Sequence, residues 1–192
     1  MSLQPHAVPI RERILELSFN AFNARGYKQV SMDMVARELR ISKKTIYKYF
    51  DAKEAILETA MEGLFARIEN DLNRLAKGVP GRDALLAYFT IYRDFVNSLS
   101  ERLRHEVAQD IPYLYERIKT FERQVLKRSF GKLLKELRGN RLIDYPSPTR
   151  EFTGAFFAML KGLVDAPEDK ANFIIGALFR GISVKKKKKD KK

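Results

Sequence analysis

Residues 41–57 read ISKKTIYKYFDAKEAIL, a stretch that is basic at its start and crowded with aromatics. A helix over Lys43–Phe50 places Ile46, Tyr49 and Phe50 on one side, at the spacing that buries an apolar stripe. Lys44, Tyr47 and Lys48 then point the other way, with Thr45 at the edge. A tyrosine held between two lysines on an exposed face suits a partner better than it suits water. Charged outward faces are usually just solvated, so the surrounding residues must decide what this one is for.

Upstream, Ser31 is suited to cap a helix whose first turn carries Asp33, where a negative charge meets the positive end of the helix dipole. That helix runs to about Leu39 and buries Val35, Ala36 and Leu39; the small Ala36 lets another helix approach closely. Ser42 caps the next helix. Two short helices joined by a tight turn at Leu39–Ser42 are a helix-turn-helix, whose second helix lies in the DNA major groove. Lys43, Lys44 and Lys48 suit phosphates or guanine edges, and Thr45 and Tyr47 suit a phosphate or a thymine methyl. Ser31 and Ser42, at the helix starts, and Lys53, at the start of the following helix, complete the expected DNA-binding set. Any αα corner gives a similar pattern, so the motif by itself is a weak sign.

The remaining chain reads as helix throughout, with no convincing strand and no internal repeat. Pro9 suits a first turn, and Ile14, Leu17, Ser18, Ala21 and Phe22 recur with helical period up to Gly26, suited to the left-handed residue past a helix end. A long helix after Asp51 carries Leu57, Met61, Leu64, Phe65, Ile68, Leu72 and Leu75 on one stripe and stops at KGVPGR. Further helices are expected over Arg82–Ser100, Glu101–Asp110, Pro112 to about Arg138, Thr149–Ala166 and Glu168–Ser183. The expectation is an all-α protein: a helix-turn-helix domain over 1–53, a helical domain over 54–184, and a lysine-rich, disordered tail over 185–192.

Composition narrows the functional classes. The 192 residues are 45% hydrophobic, enough to build a core, with no apolar run long enough to span a bilayer; the first residues lack the apolar core of a secretory signal, so no leader is expected. No cysteine is present, which removes disulfides, thiolate nucleophiles and cysteine zinc sites; with only His6 and His105, no histidine-rich metal site is expected. The net charge of +13 is uneven: residues 1–53 carry +5, residues 54–184 only +2, and the last eight +6. Both basic ends suit a polyanion; the tail also suits simple solubilisation or, less well, a membrane surface. Phosphate-binding loops, GxSxG and HExxH are missing, so no enzyme or cofactor is expected; with no spanning run and no lipid group or free amphipathic helix beside the tail, no membrane association is expected either. The other class considered is a helical adaptor for proteins, which leaves the outward Lys44–Tyr47–Lys48 face unexplained.

The full string SMDMVARELRISKKTIYKYFDAKEAIL (31–57), with Tyr47-Lys48-Tyr49-Phe50 followed by Lys53-Glu54, resembles the DNA-binding region of the TetR family of bacterial transcription regulators. RERILELSFNAFNARGYKQVSMDMVA (11–36) resembles the family's first helix and its glycine-aromatic exit, so the likeness covers roughly residues 10–57. The family usually carries glycine in the turn where this chain has Arg40. A left-handed Arg40 costs on the order of 1 kcal/mol relative to glycine.

The resemblance implies a C-terminal dimerisation and effector domain, and the residues agree. Phe152, Ala155, Phe156, Met159 and Leu163 form an apolar stripe in the penultimate helix. The last helix, with Phe173, Ala177 and Leu178, is apolar nearly all round, as a helix buried on every side is. Two such helices from each protomer make a four-helix bundle, so a homodimer reading a near-palindromic double-stranded operator is expected. Phe65, Phe89, Tyr92, Phe95, His105 and Tyr113 are the candidate lining of a pocket for a small apolar effector, although aromatics at this spacing also make plain core. The expected protein is a cytoplasmic, ligand-responsive repressor.

Overall fold

The computed structural model describes residues 8–78, 81–144 and 149–182. Their regular elements are all helical: α1 (Ile10–Arg25), α2 (Met32–Leu39), α3 (Lys43–Tyr47), α4 (Lys53–Ala76), α5 (Arg82–Asn97), α6 (Glu101–Asp110), α7 (Pro112–Phe121), a π-helical turn (Glu122–Leu126), α8 (Lys127–Gly139), α9 (Thr149–Gly162) and α10 (Glu168–Ile182). The all-α expectation is met. The lysine-rich residues 185–192 lie outside the described residues.

The described residues fall into two compact units. The first runs to Arg67 and resumes over Asn97–Ile118; the second comprises Ile68–Val96 and the chain from Lys119. This differs from the boundary expected at residue 53. The first part of α4, all of α6 and most of α7 belong with the N-terminal helices, because side chains far apart in sequence tie them there. Asn23 donates to the Ser98 carbonyl at 3.0 Å and accepts from the Ser100 N–H at 2.9 Å. Glu106 on α6 accepts from the Lys28 N–H at 2.9 Å, and Lys28 pairs with Asp110 at 3.1 Å. Arg117 on α7 bridges Glu58 and Glu62 on successive turns of α4. Periodicity along a single helix carries no trace of such links.

In the first unit, Ile14, Ser18 and Phe22 of α1 are fully buried at four-residue spacing, with Val35 and Ala36 of α2 and Ile56, Leu57 and Met61 of α4. α1 closes at Gly26, whose N–H reaches the Phe22 carbonyl at 2.9 Å. Its φ of 86° and ψ of 158° lie not in the left-handed helical region expected but in the extended mirror-image region that is essentially reserved for glycine.

The second unit is held by aromatics. Tyr88, Phe89, Tyr92 and Phe95 of α5 are each at most 2% exposed. Tyr88 lies 4.8 Å from Phe130, which in turn meets Phe156 at 5.3 Å, while Tyr92 meets Phe157 edge-on at 5.1 Å. The single helix expected from Pro112 to Arg138 is interrupted by the π turn, where the wider winding disturbs the regular pairing of backbone groups. The Tyr88 hydroxyl donates to the Leu126 carbonyl there at 2.7 Å, so the buried phenol is satisfied.

Candidate nucleic-acid interface

The helix-turn-helix is built by two serine caps and one strained arginine. Ser31 Oγ accepts from the Met34 N–H at 3.2 Å and starts α2; Ser42 Oγ accepts from the Thr45 N–H at 3.0 Å and starts α3. Between them, the Arg40 N–H bonds the Arg37 carbonyl at 3.1 Å and the Ile41 N–H bonds the Ala36 carbonyl at 2.9 Å. These are the paired bonds of a Schellman motif, which requires a left-handed residue just past the helix. Arg40 supplies it, at φ 56° and ψ 43°. The same device ends α8, with Arg141 at φ 55°. Arg40→Gly is therefore expected to stabilise the protein by about 1 kcal/mol, net of glycine's greater freedom in the unfolded chain. In a thermal melt that is a rise of roughly 2–4 °C.

α3 is shorter than the expected Lys43–Phe50: it ends at Tyr47. Ile46 and Phe50 are buried at 0% and 4% exposure, as expected, but Tyr49 is 43% exposed and does not join the stripe. Past the helix end the 3.6-residue period no longer fixes where a side chain points. Tyr49 is thus an outward residue that the sequence reading missed; a five-residue helix begun by a serine cap was the available sign.

Tyr47 is likewise 43% exposed, and Lys44 and Lys48 flank it in the sequence with no ion pair among the described residues. Lys43 pairs with Asp33 at 2.8 Å. That hydrogen bond, and then the carboxylate charge, holds its ammonium above the ordinary lysine range. Both partners are exposed, so the link is weak and readily exchanged for another anion. Thr45 is half-buried, and its Oγ1 lies 2.8 Å from Ser42 Oγ. Ser31, Ser42, Lys43, Lys44, Thr45, Tyr47 and Lys48 are brought together along two consecutive helices and their turn.

Lys53 is placed differently. Its ammonium donates to the Tyr27 carbonyl and lies 4.0 Å from the Tyr27 ring centroid. Burial pushes its pKa down, opposed by the Glu106 charge. In this structure Lys53 fastens the loop after α1 to α4, a cation–π and carbonyl anchor inside the unit.

The candidate effector residues divide between the two units. Phe89, Tyr92 and Phe95 are core of the second unit, whereas Phe65, His105 and Tyr113 belong to the first. Tyr113 is 50% exposed. His105 is also exposed and borders a shallow groove of about 550 Å³ with Arg102, Arg104 and Tyr115. A cleft of the second unit beside Tyr88 and Leu72 has a volume of about 80 Å³, well below the size of small-molecule sites. Of the candidate dimer residues, Ala155, Phe173 and Ala177 are exposed and Phe152, Met159, Leu163 and Leu178 half-buried. Phe156 is 6% exposed and packs within its own protomer. α10 is thus not buried on every side within one chain, and Phe173 is 68% exposed.

Comparison with known proteins agrees with this architecture. Residues 14–60 match the N-terminal domain of "Bacterial regulatory proteins, tetR family". The uncharacterized HTH-type transcriptional regulator YerO of Bacillus subtilis is 26% identical over 165 residues, which cover 80% of this chain and 53% of YerO. The negative regulator IcaR of the biofilm operon icaADBC in Staphylococcus aureus is 26% identical over 61 residues, 32% of this chain and 33% of IcaR. The matched regions thus span about half or less of these relatives' lengths. A TetR-family regulator from Cytophaga hutchinsonii shares the fold with a TM-score of 0.71 at 17% identity, over 96% of this chain and all of that one. Residues 14–60 are thus a TetR-family N-terminal domain, and the described helices share the fold of a TetR-family regulator.

Proposed function

We propose that the protein is a homodimeric transcriptional regulator that binds a near-palindromic DNA operator through α3, acts as a repressor, and answers to a small-molecule effector held by the second unit. The observation that carries the reading is the two-sidedness of α3: Ile46 is fully buried while Tyr47 and the two unpaired lysines beside it face outward. A buried anchor fixes the direction of an exposed reading face, which is how a helix-turn-helix presents side chains to a major groove. IcaR, which is similar over 61 residues, is a negative regulator, and this favours repression over activation.

Duplex binding measured by fluorescence anisotropy over a salt series tests the DNA reading. The log of the binding constant is expected to fall linearly with the log of salt concentration, with a slope several units negative. A flat salt dependence, or no binding, sinks it.

Dimerisation through α9 and α10 has a separate support. Phe173 presents a large ring to solvent on α10, and the exposed Ala177, one turn further on, and Ala155 of α9 are small enough for close helix contact. A ring so exposed in one chain stabilises an interface once covered. Phe173→Glu is expected to weaken the dimer at least 100-fold, a charge having been placed where a desolvated ring should sit. Sedimentation at micromolar concentration should then show monomers, against dimers for the parent. An unchanged dimer would exclude α10 from the interface.

A further inference from the structure

The second unit carries a concentration of positive charge that DNA reading by α3 does not use. Arg123, Lys127, Arg128, Lys132 and Lys135, on the π turn and α8, border a groove of about 630 Å³ together with Arg150 of α9. All six are exposed, and no carboxylate lines the groove. None of the six pairs with a carboxylate among the described residues.

The arrangement is unfavourable without a counterion. Arg123 to Lys127 and Arg128 to Lys132 are four apart, and Lys132 to Lys135 three apart, so like charges face one another along the same surface. Such pairs destabilise a helix as opposite pairs stabilise it. Two other cations of the same unit do have carboxylate partners: Arg93 pairs with Glu168 at 3.1 Å and Lys161 with Glu122 at 2.5 Å. The groove also has a built floor. Gly131 on α8 faces Thr153 of α9, whose side-chain methyl is 3.6 Å from the place a Cβ on residue 131 would take. Without a side chain at 131, the concavity stays open between flanking rows of cations.

The volume falls within the range of small-molecule sites. The planar forks of Arg123, Arg128 and Arg150 are matched to phosphate oxygens, and the lysines act as point charges beside them. We propose that this groove binds a small organic molecule bearing two or more phosphates, of nucleoside di- or triphosphate class. The proposal gives a chemical class to the effector of the preceding section, anionic instead of the apolar molecule expected from the sequence. It rests on the second unit's being the effector unit, but the binding can be measured with no DNA present. Failure of one reading is therefore distinguishable from failure of the other.

Calorimetric titration of the full chain in physiological salt, with inorganic phosphate, tripolyphosphate and ADP as probes, tests it. Saturable binding of tripolyphosphate and ADP at one site per protomer is expected, at least tenfold tighter than inorganic phosphate. The Arg128→Gln/Lys132→Gln variant should lose at least tenfold in affinity for both, and Lys170→Gln, a cation on α10 outside the groove, should lose none. The surface position of all three residues keeps the variants folded, and a circular dichroism melt confirms it. Absence of saturable binding by the parent chain, or equal loss in both variants, would overturn the proposal. A groove variant that binds tripolyphosphate normally but loses duplex affinity would overturn it too, and make the groove a nucleic-acid contact surface.

Discussion

Replacing Tyr47 and Lys48 together by alanine is expected to lower affinity for the operator by roughly 100-fold at physiological salt, with the thermal midpoint changed by no more than about 2 °C. The two effects separate because the side chains are outward. Tyr47 is 43% exposed and Lys48 is exposed, so truncation opens no cavity beneath them, and the buried Ile46 and Phe50 keep their places. A lost tyrosine contact to a base or phosphate costs about 1–3 kcal/mol. Loss of one lysine–phosphate contact also makes the salt slope shallower by about 1. Ile46→Ala should do the opposite: its side chain is fully buried, so the fold loses about 2–5 kcal/mol and DNA binding fails only because the reading helix is no longer held. Anisotropy and a thermal melt on the same preparations distinguish the cases. Equal losses of stability in both variants would mean that Tyr47 and Lys48 support the fold instead of reading DNA.

Gly26→Ala is expected to be the most destabilising single-methyl addition in the first unit, at about 3 kcal/mol, or a fall of roughly 6–12 °C in the melt. Two causes add. The backbone at φ 86° and ψ 158° is strained for any residue with a Cβ. The new methyl would also lie 2.5 Å from Glu106 Oε1. That carboxylate can move only by giving up the Lys28 N–H and its 3.4 Å contact with Arg102. Glu106→Ala alone should cost about 1–2 kcal/mol, through loss of the charge-assisted hydrogen bond to the exposed Lys28 N–H. In the double variant the steric part disappears and the backbone strain stays, so the combined loss should be smaller than the sum of the two. Strict additivity would show that the methyl and the carboxylate never meet.

The parts of the protein that were legible in its sequence are those written locally. Ser31 and Ser42 announce helix starts because an N-cap acts within three residues, and the 3.6-residue period of α4 marks Leu57, Met61, Leu64, Ile68 and Leu72, all buried. Arg40 is legible as an oddity only through the resemblance, since the family usually carries glycine at that turn. What escaped is non-local or depends on where a helix stops. Tyr49 was placed in the buried stripe by continuing a period that ends at Tyr47. Lys53 reads as a phosphate anchor because nothing near it in sequence shows the Tyr27 carbonyl that it meets. The joining of α6 to the N-terminal helices rests on Asn23, Lys28 and Glu106, residues more than 70 positions from their partners. The groove cations sit three and four apart in plain view, but only the fold shows that Arg150 joins them and that no carboxylate does.

Selection of bound sites from random duplex DNA, by the purified chain with and without residues 185–192, tests most directly whether α3 reads sequence. Both forms should recover one near-palindromic motif, its half-sites about one helical turn, roughly 34 Å, or a multiple apart. The Tyr47→Ala/Lys48→Ala variant should recover none. Recovery of no motif by the parent chain, or binding that disappears with the lysine tail, would contradict the reading and reduce the interaction to charge alone.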